Sequence, residues 1–509
     1  MEKIAIIDMG SNSIRFVALQ IGDNGSYTFL FQEKEAIRLG EGLSQSGVLS
    51  EQGMERALNC LKVYQHIMSV GEIKNCIAVA TAAVRNASNG DEFLKKINAE
   101  TGVTMNVISG EREAYLGYLG VINTIASRDF VLFDLGGASV EVSLVRNGMI
   151  EQSVSVPIGA VTLTEKFDLS GNPDISEIED CLEFIEDKME CLSFIKGTGL
   201  PLIGIGGTAR AFAKMDQRLT GYEFPKIHNY ILPKKHFDSL YDTLTTISAS
   251  ERKKLPGLNS DRADLIVSGA AVLQVLFDIT GSNELIISGY GLREGLFYEY
   301  YAMYTGARKP QFDDILQTSI DNFLKTLPST NYAHLNQVTR VSKLLFDALK
   351  PIHHFGASEE KMLLTASWLH DSGKVINYYN HARHSAFVIG HAPLYGLTQL
   401  EQIMASFVAG FHHGISRKIY RSYRYANLPS EEDWRVIRQL STLLALAEAS
   451  DLTYEQLIQD IQVTIAENVV VMIITVTKDA SHNAIEYEMN QLLKQFKKEF
   501  GYTLLLVWK

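Results

Sequence analysis

"FDLGGASVEV", residues 133–142, sets an acid before two glycines and reaches a second carboxylate, Glu141, on the far side of the turn. The stretch is answered earlier in the chain by "IDMGSNSIRF", residues 7–16. Laid over one another, the two pair Asp8 with Asp134, Gly10 with Gly136 and Ser13 with Ser139, a constant offset of 134 − 8 = 126 residues. Arg15 then takes the place that Glu141 holds in the second copy. Apolar residues run into and out of each turn ("IAII" before Asp8, "IRFVALQI" after it), so each copy reads as strand, glycine turn and returning strand. Two copies predict two related halves, each with its turn at a strand end.

An Asp-x-Gly turn exposes consecutive backbone N–H groups, because glycine accepts φ > 0 and leaves room for close approach. Such a nest holds an anion, and the hydroxyls of Ser11, Ser13 and Ser139 add donors. The candidate phosphate-binding residues are Gly10, Ser11, Asn12 and Ser13 in the first turn and Gly136, Gly137, Ala138 and Ser139 in the second. A third turn, "GIGGTAR" at 204–210, adds Gly207 and Thr208. Asp8 and Asp134 would face one another across a cleft, with Glu141 in reach on the returning strand. Bare carboxylates repel phosphate, so their expected partner is a divalent metal. A single glycine-rich turn is ordinarily just a tight hairpin. Matched Asp, Gly and Ser in two copies, with a third turn, argue for phosphate.

A chain of 509 residues exceeds one hydrophobic core and predicts three or four domains. Apolar residues at 46% and charged residues at 21% are those of a globular protein. No apolar run is long enough to cross a bilayer, and "MEKIAIIDMG" lacks the features of a secretory signal. Cys60, Cys76, Cys181 and Cys191 are too irregularly spaced for a zinc or disulfide framework. The expectation is a cytoplasmic protein with no membrane partner. A net charge of −12 argues against nucleic-acid binding. It also requires that any positive potential for phosphate be concentrated in a lined cleft.

Around the turns, "SEQGMERALNCLKVYQHIMSV" reads as an amphipathic helix, and "CIAVATAAVR" and "VTMNVISG" read as strands. Asn147-Gly148 marks a hairpin. "LPLIGIGGTARAFAKM" and "LIISGYGLREGLFYEYY" each run from strand through glycine turn to helix, so the architecture is α/β. Past "TGARKP" the pattern turns helical ("HLNQVTRVSKLLFDAL", "EEKMLLTASWLHDSGKV"), and the last fifty residues or so form a small α/β cap. The expected divisions are 1–126, 127–306, 310–455 and 456–509.

The ordered set "DMGSNS", "ATAAVRNASNG", "ISGEREA", "FDLGGASVE", "GIGGTARA" and "SGYGLREG" resembles the exopolyphosphatase and guanosine pentaphosphate phosphatase (Ppx/GppA) family. That family shares the fold of actin, sugar kinases and Hsp70-like ATPases. The resemblance implies two actin-like, ribonuclease H-like domains followed by a helical HD-like domain. It implies that Glu113 is the catalytic base that orients and deprotonates the attacking water, with Glu111 the nearest competitor. It places Arg85 beside the phosphate, where a fixed fork of donors suits phosphoryl oxygens. It makes Asp134 and Glu141 magnesium-associated acids. Read without it, Glu113 is a first-turn acid favouring a helix dipole, and Arg85 a surface cation. Two departures stand out. Arg112 replaces a glutamate of the family, and Ala138 replaces a glycine, at a cost of about 1 kcal/mol if its φ were positive.

The implied activity is processive, magnesium-assisted hydrolysis of the terminal phosphate of inorganic polyphosphate by a homodimer. Guanosine pentaphosphate is the alternative substrate, and a sensor that only binds is the non-enzymatic reading. An intact Glu113 favours the enzyme.

In "SWLHDSGKV", His370 and Asp371 form the pair that names HD-type metal phosphohydrolases, and His334 stands at the place of their first ligand. Glu448 or Asp451 would give the final carboxylate, with His384, His412 and His413 between. Imidazole with carboxylate suits a transition metal, so a second divalent site is one expectation. The other, which the resemblance favours, is a helical fold kept for packing and substrate guidance. In "RKIYRSYRY", residues 417–425, Arg417, Lys418, Arg421 and Arg424 alternate with tyrosines. The run is either a guide for an extended polyanion or a solvated face.

Overall fold

The computed structural model describes residues 1–414 and 423–509. Arg417, Lys418 and Arg421 of the basic run lie outside the described residues. The chain divides into two compact units, Met1–Ile315 and Leu316–Lys509. Among the described residues no helix is long and apolar enough to cross a membrane.

The first unit holds two mixed sheets. In one, β1 (Glu2–Met9), β2 (Ser13–Ile21), β3 (Tyr27–Ala36), β4 (Asn75–Ala80) and β5 (Met105–Val107) lie in the order β3-β2-β1-β4-β5. In the other, β6 (Phe130–Leu135), β7 (Val140–Arg146), β8 (Met149–Val156), β9 (Leu202–Gly206), β10 (Tyr230–Pro233) and β11 (Glu284–Ile287) lie in the order β10-β11-β9-β6-β7-β8. With β10 set aside, the second order is the first one repeated. In both sheets the first three strands are antiparallel and the next two run parallel to the first. The offset of the two glycine turns is therefore the offset of two whole sheets. Its register is informative: Asp8 stands opposite Arg15 and Asp134 opposite Glu141. Ile4, Ala5, Ile6 and Ile7 are all fully buried, as a strand covered on both faces requires.

Local chemistry accounts for the connections. Asn147 (φ 51°) and Gly148 (φ 73°) both sit in the left-handed region that a two-residue hairpin between β7 and β8 needs. Ser50 caps the helix Glu51–Val70 by accepting from the Gly53 N–H. "CIAVATAAVR" is not one strand: it leaves the sheet after Ala80, and Ala82–Asn86 is a short helix carrying Arg85. Alanine favours helix over strand, which is why the apolar run misled. The last helix of the unit, Leu292–Thr305, returns to the first sheet, where Leu292, Leu296, Phe297 and Tyr298 share a core with Ile4, Ile6, Val17 and Leu19.

The second unit begins as a helical bundle. The helices Tyr332–Ala348, Ala357–Leu369, Gln399–Gly410 and Glu431–Ala449 pack on one another. Val338, Leu345, Leu363, Val408, Leu440 and Leu443 are fully buried. A three-stranded sheet of β12 (Ile458–Ala466), β13 (Val469–Val476) and β14 (Thr503–Trp508) follows.

Candidate active site

The two glycine turns meet in the first unit. A Cβ on Gly137 would lie 3.0 Å from the Ser11 Cβ. Each turn closes in the same way: the Gly10 N–H donates to the Ser13 carbonyl (3.0 Å), and the Gly136 N–H to that of Ser139 (2.9 Å). The Ser11 and Asn12 carbonyls accept from the 37–40 segment, and those of Gly136 and Gly137 from Ala160, Val161 and Thr162. Among the described residues the amides of Ser11, Asn12, Gly137 and Ala138 donate to no acceptor, and all four residues line the cleft. Gly10 and Gly136 therefore shape the nest, and the amides that follow them are the ones available to an anion. Ser13 lines the cleft as well. The Ser139 hydroxyl is already committed to Glu141 Oε1 (2.7 Å). Ala138 does not have a positive φ, so replacing glycine there carries no backbone cost.

A third wall comes from the β9 turn. Gly206 sits at φ 98°, where only glycine is at ease, and the helix Gly207–Leu219 starts at the cleft with Gly207 and Thr208 in its lining. A helix N-terminus favours negative charge.

Opposite stand the acids. Glu113 lies in the first turn of the helix Gly110–Ile122, capped by Ser109. Its side chain is only 13% exposed, and Oε2 has no hydrogen-bond partner. Arg85 Nη1 is 3.6 Å from that oxygen and donates to the Ile108 carbonyl at 2.7 Å. Burial, then the charges of Glu141, Asp134 and Asp8, raise Glu113 well above the usual carboxylate range. Burial raises Asp8 and pushes Asp134 up to about 6, against the pull of Arg15 and Arg210 on the latter. Glu141 rises to about 7. Its Oε1 accepts from Ser139 and Ser155, while Oε2 is buried and unpartnered. Glu111 is exposed. Arg112 turns away to Glu299, Nη1 to Oε1 at 2.7 Å with Nη2 on Oε2, so this departure leaves Glu113 untouched.

Crowded carboxylates with two unpartnered buried oxygens suit a divalent cation. Asp8, Asp134 and Glu141 do not form one tight donor set; among the described residues such sets occur only in the second unit. Magnesium, which keeps several waters and takes one or two carboxylates, fits Asp134 and Glu141 in that looser manner.

Sequence reasoning gave a phosphate role to Arg85 and named Arg15 only as the counterpart of Glu141, so the arginines of the cleft went unassigned. Arg15, Arg210, Arg262 and Arg293 all line the cleft. Burial and the neighbouring Arg15 and Arg262 bring Arg210 down to about 9. Arg262 falls to about 10, again through burial and Arg15. Lys34 falls to about 8, chiefly through burial and then the same arginines. Cations so placed repel one another until an anion lies between them. This is the local positive potential that the overall charge of −12 demanded. Arg210 and Arg293 were visible inside the motifs "GIGGTARA" and "GLREG". Arg262, in "NSDRADL", carried no signal.

In the second unit the histidines gather into two sets: His334, His370 and Asp371, and His381, His412, His413 and Glu448. His381, not His384, joins the cluster. Both candidate final carboxylates are engaged, Asp451 with His334 Nδ1 (2.8 Å) and Glu448 with His412 Nε2 (3.2 Å). Burial holds His370 and His413 down to about 4, in their neutral forms. Arg424, the one described cation of the basic run, lies 5.3 Å over the Tyr425 ring.

Duplicated mixed sheets closing an anion cleft against a buried carboxylate define a protein built to work on phosphoryl groups. The chain matches the Ppx/GppA phosphatase family over residues 19–303 and that family's domain III over residues 315–491, and it belongs to this family of phosphatases. The bifunctional 3-dehydroquinate synthase/phosphatase of Fusobacterium nucleatum is 33% identical over 298 residues, 56% of this chain but only 44% of that protein. The guanosine-5'-triphosphate,3'-diphosphate pyrophosphatase of Pseudoalteromonas atlantica is 29% identical over 413 residues, 79% of this chain and 78% of that one. Among solved structures, an exopolyphosphatase from Cytophaga hutchinsonii superposes with a TM-score of 0.56 at 27% identity, over 61% of this chain and all of that one. The Aquifex aeolicus family member gives 0.52 at 29%, over 60% and 99%.

Proposed function

We propose that the first unit hydrolyses the terminal phosphoanhydride of inorganic polyphosphate. The observation that carries this is the cleft itself, where four arginines and four uncommitted amides face the unpartnered Oε2 of Glu113. Glu113 takes the proton of the attacking water, and its raised basicity suits that task. Arg85, 3.6 Å away, orients that carboxylate and meets the phosphoryl oxygens. Arg15, Arg210, Arg262 and the amides of Ser11, Asn12, Gly137 and Ala138 hold the charge that develops on the transferred group. Magnesium, held by Asp134 and Glu141 with Asp8 nearby, would supply charge neutralisation at those oxygens. Two actin-like lobes, dividing near residue 126, would close over the chain end.

A second reading, guanosine pentaphosphate 5′-phosphohydrolase, is favoured by the names of relatives that align with about four fifths of the chain. One comparison separates them: phosphate release from long-chain polyphosphate and from guanosine pentaphosphate at equal concentrations, with Glu113→Gln as control. Higher kcat/KM for polyphosphate supports the first reading, and the reverse order replaces it with the second. Binding of either without phosphate release would leave only a sensor.

A further inference from the structure

The helical unit carries a centre that the phosphate cleft does not use. It is built from helix ends. His334 lies in the first turn of Tyr332–Ala348, and His370 and Asp371 directly follow Ala357–Leu369. His381 opens the helix His381–His391, His412 and His413 follow Gln399–Gly410, and Glu448 closes Glu431–Ala449.

Four of these imidazoles are fixed in one tautomer. Nδ1 of His370 meets the Ser367 carbonyl (2.7 Å), that of His381 the Tyr378 carbonyl (3.0 Å), and that of His412 the Ala409 carbonyl. Nδ1 of His334 meets the Asp451 carboxylate (2.8 Å). Carbonyls and carboxylates only accept, so each Nδ1 carries the hydrogen and each Nε2 turns inward. Nδ1 held by a carbonyl or carboxylate is how metal-binding histidines are oriented. The Nε2 atoms of His334 and His370 and Oδ1 of Asp371 are buried with no hydrogen-bond partner, and buried His412 Nε2 faces Glu448 Oε2 (3.2 Å), a donor of its own set. Within each set the donor atoms lie within 4.8 Å of one another. Donors about 2.0–2.2 Å from a shared metal ion stand at comparable separations.

Asp371 joins the sets. Its Oδ2 is 3.8 Å from His334 Nε2, and its Oδ1 is 3.4 Å from His381 Nε2 and 3.6 Å from His370 Nε2. Three donors on one side and four on the other are a complement for two ions with one carboxylate between them. Imidazole-rich donors select first-row transition metals over magnesium or calcium. A pocket of about 500 Å³ opens at Asp371, with Lys374, Tyr454, Ser329, Thr330 and Asn331 in its wall. Lys374 Nζ pairs with Asp371 Oδ2 (2.5 Å), the oxygen a metal ion would take over, and stands 5.9 Å over the rings of both Tyr454 and Tyr378, of which Tyr378 is 69% exposed. A cation beside two ions recognises a phosphoryl group, and the tyrosines offer faces to an aromatic substituent.

We infer that the helical unit binds two transition-metal ions bridged by Asp371 and hydrolyses a small aromatic phosphate ester, a second activity separate from the phosphate cleft. Water supplies hydroxide to phosphorus, the P–O ester bond breaks, and the remaining proton goes to the departing oxygen.

The test uses the full chain, stripped with a chelator and reloaded with Mn2+ in excess magnesium, with ions counted by elemental analysis after desalting. The expected result is two Mn2+ per chain, both lost in Asp371→Ala and one lost in His413→Ala, whose half-exposed side chain tolerates removal. Fewer than two ions in the parent chain, or two retained in Asp371→Ala, overturns the centre. Should Asp371→Ala fail to fold by circular dichroism, His413→Ala decides alone, and an unchanged count there overturns it. Ester hydrolysis is read in a Glu113→Gln background, which silences the first unit, with p-nitrophenyl phosphate and bis(p-nitrophenyl) phosphate as probes. At least a tenfold rise on Mn2+ loading, abolished by His413→Ala, is expected. Two bound ions with neither probe cleaved would overturn the hydrolase assignment.

Discussion

The guanidinium of Arg262 lies against the Cα of Gly207, so closely that a Cβ there would fall 1.7 Å from Nη2 and 1.8 Å from Cζ. The blocked atoms are the far end of a flexible side chain, so Gly207→Ala should displace Arg262 from the cleft and leave the fold intact. KM for the phosphate substrate should rise about tenfold, the order expected on losing one charge-assisted contact. Arg262→Ala should match it, and the double variant should be no worse than either single. Additive losses in steady-state kinetics would show that the two residues act separately.

Glu113→Gln keeps the shape of the side chain and removes its basicity. Turnover should fall on the order of a hundredfold or more with substrate binding retained. Glu111→Gln, on an exposed side chain, should stay near the parent value. Single-turnover phosphate release measures both, and a normal rate in Glu113→Gln would remove the proton-accepting role from that residue.

The magnesium reading has its own signature. Asp134→Ala and Glu141→Ala should each raise the magnesium concentration needed for half-maximal rate. Asp8→Ala should do so less, because Asp8 faces the pair from the other half. A titration of rate against magnesium in each variant reads this directly. Unchanged midpoints would make the carboxylates structural.

Acid stability turns on His228. Its Nδ1 accepts from the Gly289 N–H and its Nε2 donates to the Thr124 carbonyl, both at 3.2 Å, so the neutral ring is fully satisfied. Burial, with Lys226 adding, holds it down to about 3. The folded value lies below the unfolded value of about 6.5, so the unfolded state binds the extra proton between them. Stability is therefore complete above about pH 6.5 and falls as pH drops, by about 2 kcal/mol between pH 7 and pH 5. Urea unfolding of His228→Gln should show a pH dependence smaller by that amount. An equal dependence in both proteins would place the acid sensitivity elsewhere.

Much of this site is written locally. The strand, turn and returning strand around Asp8 and Asp134 are short-range patterns, and their repetition announced a duplicated sheet before any contact was known. Glu113 and Arg85 were legible only through the motifs surrounding them. Taken singly, a first-turn glutamate and an arginine after Ala82, Ala83 and Val84 carry no such meaning. The apolar run ending in Arg85 was even misread as strand, because alanine and valine satisfy either pattern until the neighbouring sheet decides.

The sequence by itself determined the two halves, the three glycine turns and the acids at the strand ends, because φ preference and two-residue alternation act between near neighbours. Tertiary structure alone decided which cations meet the anion. Arg15, Arg210, Arg262 and Arg293 come from four separate segments and converge only when the sheets close, which is how a chain of net charge −12 lines a cleft with positive charge. It also chose His381 over His384, one turn further along the same helix face, because packing buries His381 with Nε2 3.4 Å from Asp371 Oδ1 and leaves His384 partly exposed, a difference that spacing along the chain does not carry.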